Sequence, residues 1–228
     1  MRTVAIIPAK GSSSGIPRKN LTMLCGKPLL AWTIEAAISA TAIDEIIVST
    51  DSDDVGALAR EYDITVLHRP KMLAKPTVHA LQVVIHAISA LSLADDTAIH
   101  MLLPTSPCRT SADIDNAGNM LVGGGSVVGV TDSKPMHSLR GIRGGRLIPV
   151  VDPSPATLNQ QRQDVGELHA VCGAIFLAHT STLVRQRTYH VANSRPYYMP
   201  ADRAIDVNTL ADLQFAAMIM EGKCAQYS

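Results

Sequence analysis

The sequence predicts a three-layer α/β fold, with a mainly parallel sheet between two layers of helices. Three observations carry that expectation. Short β-branched runs alternate along the chain with longer runs of helical spacing, as βαβ crossovers require. Hydrophobic residues make up 46% of the chain but aromatic ones only 4%, so the core rests on Ala, Val, Ile and Leu. That mixture suits strands buried on both faces better than an aromatic-rich sandwich. The length, 228 residues, is enough for one α/β domain with a small insertion.

The first strand is read at residues 4–8, where apolar residues run unbroken into a glycine- and serine-rich loop. Residues 29–40 follow Gly26-Lys27-Pro28 with helical spacing. Residues 45–49 form a second strand ending at Thr50-Asp51. Ser52 or Asp53 then caps a helix to about residue 62, since a side-chain oxygen there satisfies free N–H groups. A short third strand at 64–67, a helix over 77–93 and a fourth strand at 98–103 continue the alternation. Ser111-Ala112-Asp113 opens a helix to about residue 122, and Gly123-Gly124-Gly125 turns the chain into a fifth strand at 126–130. There the rhythm breaks. Residues 133–168 are rich in Gly, Pro, Arg and polar residues, and a structureless stretch that long is foreign to a compact domain. We read it as an inserted arm with short strands of its own, serving dimerisation or lidding the site. The α/β pattern returns at 170–177, and a last helix covers 209–220. Residues 1–228 are therefore read as a single domain carrying an arm at about 133–168.

Twenty basic and twenty acidic residues leave a formal net charge of zero, which removes the global electrostatic case for nucleic acid. No apolar run reaches membrane-spanning length, and the N-terminus enters a strand instead of a signal peptide, so no membrane partner is expected. Cys25, Cys108, Cys172 and Cys224 lie far apart with no C-x-x-C pair. That spacing disfavours a disulfide scaffold and a zinc site, and makes the cytoplasm the expected location.

Ligands of open α/β sheets bind beyond the carboxyl ends of the strands. Here those ends lead into loops 9–20, 50–53, 68–76, 104–110 and 131 onward. The first is the most informative. In TVAIIPAKGSSSGIPRKN a strand delivers Gly11 and Ser12 together with Lys10, Arg18, Lys19 and the amide Asn20. Backbone N–H groups in such a loop, with cations around them, suit a chain of phosphates. The dinucleotide pattern G-x-G-x-x-G is absent, which disfavours an NAD enzyme.

Followed by GKPLLAWTIEAA, DEIIVSTD, HRPKMLA, LLPTSPCRT, the RQD at 162–164, GAIF at 173–176 and AIDVNTLADL, this loop resembles the acylneuraminate cytidylyltransferases. These enzymes make CMP-sialic acid and related CMP-activated nine-carbon sugar acids. The resemblance extends from Thr3 to about Met220. It implies a nucleotide-diphospho-sugar transferase-like fold and attack by a hydroxyl of an acidic sugar on the α-phosphate of CTP. Pyrophosphate leaves, and Mg²⁺ neutralises developing charge. By the resemblance, Lys10 stands where the family usually has an arginine facing the phosphates, and Lys19 and Asn20 where it has a phosphate lysine and an asparagine near the nucleotide. Arg69 matches an arginine near the nucleotide, and Arg162 one that grips the sugar acid. Asp206 matches the first aspartate of a D-x-D metal motif, with Asn208 at the second. The expected catalytic residues are thus Lys10, Lys19 and Asp206. The expected substrate contacts are Gly11, Ser12, Arg18, Asn20, Arg69, Arg109 and Arg162. In the family the arm crosses to a partner subunit, so a homodimer is implied.

Four positions depart from the family's pattern. Ser14 stands for a lysine, Leu103 for a glutamine facing the sugar, Cys172 for an asparagine and Asn208 for the second metal aspartate. Asn208 keeps an oxygen for Mg²⁺ but loses a full charge. Leu103 and Cys172 remove hydrogen-bonding groups from the acceptor side, whereas the nucleotide side is better preserved. Arg109 is open between ligand contact and bracing its loop, and Asp51 between ligand contact and capping. His79 and His86 read as surface or packing histidines, His169 as a candidate border of the acceptor pocket. The first expected acceptor is a sialic-acid-like nonulosonate. A phosphonate or another keto-sugar acid is the alternative within the same chemistry, and a catalytically weak nucleotide-binding homologue the alternative outside it.

Overall fold

The computed structural model describes residues 1–13, 15–133, 139–150 and 167–225. The chain opens with β1 (Thr3–Pro8), a ribbon of β2 (Met23–Leu24) and β3 (Lys27–Pro28), and α1 (Leu29–Ile38). There follow β4 (Glu45–Thr50), α2 (Asp53–Glu61), β5 (Thr65–His68), α3 (Ala80–Ala90), β6 (Ala98–Met101) and α4 (Ser111–Asn119). Next come β7 (Ser126–Asp132) and the hairpin β8 (Arg140–Arg143) and β9 (Arg146–Pro149). The described elements end with β10 (His169–His179), α5 (Thr180–Gln186), β11 (Ser194–Tyr198) and α6 (Leu210–Ala225).

Seven strands make one sheet in the order β11-β7-β10-β6-β1-β4-β5. Its pairs are parallel except on the two sides of β10, which runs antiparallel to β6 and β7. The unbroken apolar run of β1 is explained by what covers it. Ala5 and Ile7 point to one face, with Leu30 and Ile34 of α1, Val55 of α2 and Ile114 of α4 in the same buried cluster. Val4 and Ile6 point to the other, with Val84 and Ile88 of α3 and Leu183 of α5. Alternate residues thus serve different layers, and both are buried. Each such Val, Ile or Leu side chain contributes about 1.5–3 kcal/mol by leaving water.

The mainly parallel sheet between helical layers agrees with the sequence reading, and most boundaries lie within a few residues of it. Ser52 caps α2, its Oγ accepting from Val55 N at 3.5 Å. Helix α4 opens at Ser111 as its sequence suggested, and Thr110 caps it through a capping box with Asp113. Helix α3 starts three residues later than its spacing suggested, because Val78 N closes a turn on Lys75 O at 3.0 Å. Sequence reading passed over the β2–β3 ribbon, α5 and β11. The last contains Pro196, which an edge position tolerates because one side of the strand makes no ladder bonds.

Two irregularities bear on function. The β10–β7 pairing slips between Val171 and Phe176, bulging β10 at residues 172–175. Gly129 opposite admits the bulge: a Cβ there would lie 3.0 Å from Cys172 Sγ and 3.2 Å from Ile175 N. Within the expected arm, β8 and β9 pair around Gly144-Gly145, both at positive φ, as a two-residue hairpin turn requires. Residues 134–138 and 151–166 of the arm lie outside the described residues. Among the described residues, no helix is long and apolar enough to cross a membrane.

Candidate active site

The carboxyl ends of β1 and β6 open on a cleft of about 360 Å³, lined among others by Lys10, Lys19, Asn20, Arg69, Lys75 and Asn208. The loop after β1 is held from inside. Asn20 is buried and its Nδ2 donates to Lys10 O at 2.8 Å, so the amide pins the loop across its own mouth. Ser13 Oγ donates to Ile16 O and accepts from Lys19 N. The loop is also wedged between two neighbours. A Cβ on Gly11 would lie 2.6 Å from Ser52 Cβ, and one on Gly15 would lie 2.3 Å from the Asn208 carbonyl oxygen. Only a glycine permits either approach.

Asp51, at the end of β4, organises the other wall. Its Oδ1 accepts from Gly11 N at 3.3 Å and from the Arg69 guanidinium at 3.2 Å. Arg69 N donates to Thr50 O at 2.8 Å, so backbone and side chain both fix this arginine. It is only 6% exposed, and burial lowers its pKa while Asp51 opposes that. Asp51 therefore serves the cleft by orienting a cation, a third role beside ligand contact and capping.

The floor is tied to the segment before α6. Lys19 Nζ donates to Val207 O at 2.7 Å and to Asn208 Oδ1 at 3.1 Å. Asn208 Nδ2 donates in turn to Asp206 Oδ2 at 2.7 Å. Val207 N reaches Thr105 O at 2.7 Å, bringing in the loop after β6. Burial lowers the Lys19 pKa, Lys10 adds to that, and Asp206 and Asp212 pull the other way. An anion entering the cleft relieves the lysine–lysine repulsion. Asp206 and the amide oxygen of Asn208 are hard oxygen donors two residues apart, which suits a divalent cation of the Mg²⁺ kind. They are too few to complete its shell, and among the described residues no three His, Cys, Asp or Glu converge to do so. Oxygens from a ligand would have to supply the rest.

Other expected residues fall elsewhere. Of the two readings of Arg109, the structure shows the bracing contacts. It is 3% exposed, and its guanidinium donates to Ala174 O (2.9 Å), Leu103 O (3.4 Å) and Thr33 Oγ1 (2.9 Å). Those bonds join the loop after β6, the β10 bulge and α1. Arg18, in left-handed conformation, turns outward to pair with Asp54, and Ser12 is exposed outside the lining. Cys172 is buried in the core with its thiol against Gly129, and burial raises its pKa. His169 pairs with Asp132 at 3.6 Å and meets Tyr198 edge-on, outside the lining of the cleft. Arg162 and Ser14 lie outside the described residues.

Sequence reading missed Lys75 and a second cavity of about 680 Å³ lined by Phe176, Tyr189, Met101, Arg187 and His190 among others. Leu103 and Ala80 line both spaces, so Leu103 stands at the junction. Phe176 and Tyr189 pack with ring centroids 5.3 Å apart. The unassigned run TYH at 188–190 was the only sequence signal for it.

Comparisons with known proteins give the family of the chain and a likeness of fold. A family model described as "Cytidylyltransferase" matches residues 4–167. An N-acylneuraminate cytidylyltransferase of Escherichia coli is 34% identical over 232 aligned residues, covering 99% of this chain and 54% of that protein. The chain thus spans about half the length of that relative. A CMP-N,N'-diacetyllegionaminic acid synthase of Legionella pneumophila is 29% identical, with 97% of each chain covered. Among solved structures, a CMP:2-keto-3-deoxy-manno-octonic acid synthetase complexed with CTP superposes with a TM-score of 0.72. It is 15% identical and covers 98% of this chain and 100% of its own, a likeness of fold.

Proposed function

The chain belongs to the cytidylyltransferase family, and from that premise we propose that it transfers CMP from CTP to an acidic sugar of the sialic-acid type, releasing pyrophosphate. The observation that carries the reading is the convergence of Lys10, Lys19 and Arg69 on one cleft at the strand ends, with Asp206 and Asn208 at its edge. Lys10, Lys19 and the loop amides around Gly11 hold the triphosphate, while Asn20 and Arg69 orient the nucleoside. An acceptor hydroxyl oxygen bonds to the α-phosphorus, the bond to the pyrophosphate oxygen breaks, and the hydroxyl proton passes to solvent. Positioning and electrostatic support do most of the work in such a transfer. Mg²⁺, held by Asp206 with Asn208, would neutralise charge on the phosphates. Ser12 and Arg18 are kept as contacts of a closed, ligand-bound loop, and Arg162 as the grip on the acceptor's carboxylate.

The second cavity is where the acceptor's remaining carbons lodge. Its Leu103, Met101, Phe176 and Tyr189 lining favours an acid with acylamino or deoxy positions over one rich in hydroxyls. The exposed apolar side chains of the hairpin, Ile142, Leu147 and Ile148, support a homodimer built through the arm. A CTP-consuming reaction fits a cytoplasmic enzyme.

The test is pyrophosphate release from CTP and Mg²⁺ with N-acetylneuraminate, N,N'-diacetyllegionaminate, pseudaminate, 3-deoxy-manno-octulosonate and 2-hydroxyethylphosphonate supplied separately. UTP, ATP and GTP serve as controls. Turnover with CTP and one nonulosonate is expected. Silence across the panel would overturn the reading.

A further inference from the structure

The two ends of the Asn208 amide are fixed by chemistry. Lys19 Nζ can only donate and lies 3.1 Å from one end; the Asp206 carboxylate can only accept and lies 2.7 Å from the other. The amide therefore turns its NH₂ toward the carboxylate that would ligate a cation, while its own ligating oxygen is engaged by a lysine. In this arrangement the protein offers a cation the remaining lone pairs of one carboxylate, beside an ammonium group. A magnesium-like ion demands about six oxygens in near-octahedral order. Without further ligands the arrangement is a weak site for it.

We propose that Asn208 makes cation uptake conditional on the nucleotide: a divalent cation binds only with a nucleoside triphosphate in the cleft, and the amide turns over as it does. This rests on the reading of the cleft as a CTP site. Triphosphate oxygens compete for Lys19 Nζ, whose bond to Asn208 Oδ1 is the longer of its two, the Val207 carbonyl lying at 2.7 Å. With Lys19 drawn to phosphate, a half-turn of the amide exchanges Nδ2 for Oδ1 beside Asp206. One oxygen of Asp206 is released at the same moment. The triphosphate then restores the negative charge that a second aspartate would have provided. Reciprocity follows, since the cation must tighten the nucleotide by the factor with which the nucleotide tightens the cation. An aspartate at 208 would remove the condition, because two carboxylates attract a cation unaided.

The experiment titrates the full chain with Mn²⁺, counted by electron paramagnetic resonance, with and without a CTP analogue whose α–β bridge is methylene. Protein-free samples correct for Mn²⁺ on the analogue itself, and calorimetry in chelator measures the analogue alone. The wild type should bind Mn²⁺ at least about tenfold more tightly with the analogue, and Asn208→Asp should bind it without the analogue at least about tenfold more tightly than the wild type does. Equal Mn²⁺ affinity in the wild type with and without a bound analogue overturns the inference and leaves the CTP reading standing. An analogue that fails to bind, with or without Mn²⁺, overturns both. Equal affinity of wild type and Asn208→Asp refutes the role of the amide. Even if the variant fails to fold, equal wild-type affinities with and without the analogue still overturn the inference.

Discussion

Gly15→Ala tests whether the phosphate loop must press directly on the segment before α6. The added Cβ would lie 2.3 Å from the Asn208 carbonyl oxygen, where real Cβ contacts do not fall below 3.0 Å, so loop and carbonyl must separate by roughly 0.7 Å. That segment carries both acceptors of Lys19 and is anchored to the loop after β6 by the Val207–Thr105 bond. A displacement there shifts Lys19 and the Asp206–Asn208 pair together. Since a misplacement near 1 Å can cost about a hundredfold in rate, kcat/KM for CTP should fall roughly ten- to a hundredfold. Stability should fall as well, by about 1–3 kcal/mol, because the atom displaced is a backbone carbonyl and not the end of a flexible side chain, although φ at Gly15 adds no strain. Two variants calibrate the result. Gly123→Ala, with open space and no positive φ, should be neutral in both respects. Gly26→Ala, at φ +81° in open space, should lose about 1–2 kcal/mol of stability to backbone strain and keep its activity. Pyrophosphate release and urea denaturation measure the two quantities. Wild-type kcat/KM in Gly15→Ala would refute the wedge, and activity lost only in proportion to stability would refute its local character.

Arg109→Met should destabilise the fold by about 2–3 kcal/mol, because buried carbonyls of Leu103 and Ala174 lose their donor while a desolvated charge is removed. CTP affinity measured by calorimetry should stay within a few-fold; a large loss of affinity at unchanged stability would return this arginine to the ligand. His100 is fully buried, neither ring nitrogen has a partner, and burial with Arg109 nearby lowers its pKa to about 3. The unfolded chain therefore holds the extra proton between that value and the ordinary histidine range, so this residue makes stability rise with pH across the window by several kcal/mol. His100→Met should flatten urea-denaturation stability between pH 4 and 7, and an unchanged slope would exclude the residue as the cause. Lys19, lowered by burial first and Lys10 second, should give CTP binding an alkaline limb that begins below the ordinary lysine range. Its stability contribution has the opposite sign, rising with pH between the lowered and the ordinary pKa, because the unfolded chain is there the more protonated. Lys19→Gln should bind CTP more weakly and lose that limb; its survival would assign it to another group.

The sequence made the sheet legible because each strand of the parallel half is buried on both faces. An unbroken run such as residues 4–7 admits few other readings. What stayed hidden are features whose signal is not local. Strand β11 carries a proline and is half exposed, and only its pairing with β7 makes it a strand. The bulge in β10 depends on the missing side chain of Gly129 on the neighbouring strand, forty-odd residues away in sequence. The second cavity draws its walls from α3, β6, β10 and the turn before β11, none of which bears a recognisable motif.

The site residues divide on a simple physical line. Lys10 follows the end of β1 directly, so the strand's direction brings it to the cleft, while Lys19 and Asn20 close the far end of the same loop across it. Arg18 adjoins the cleft residue Lys19, and Arg109 lies on the loop that gives the cleft Leu103, Pro104 and Thr105, yet one turns to Asp54 and the other inward to backbone carbonyls. Residue type cannot predict that choice, because a guanidinium satisfies carbonyls, carboxylates and phosphates with the same five donors. The departures can be sorted in the same way. Cys172 is enclosed by the bulge it helps to form, so packing against Gly129 accounts for it without reference to substrate. Leu103 and Asn208 both line the cleft, one where it joins the second cavity and one where Lys19 and Asp206 meet. Each exchanges a group that would grip its ligand alone for one that does not. Affinity at both ends of the site is then left to whatever the bound nucleotide and acceptor themselves bring.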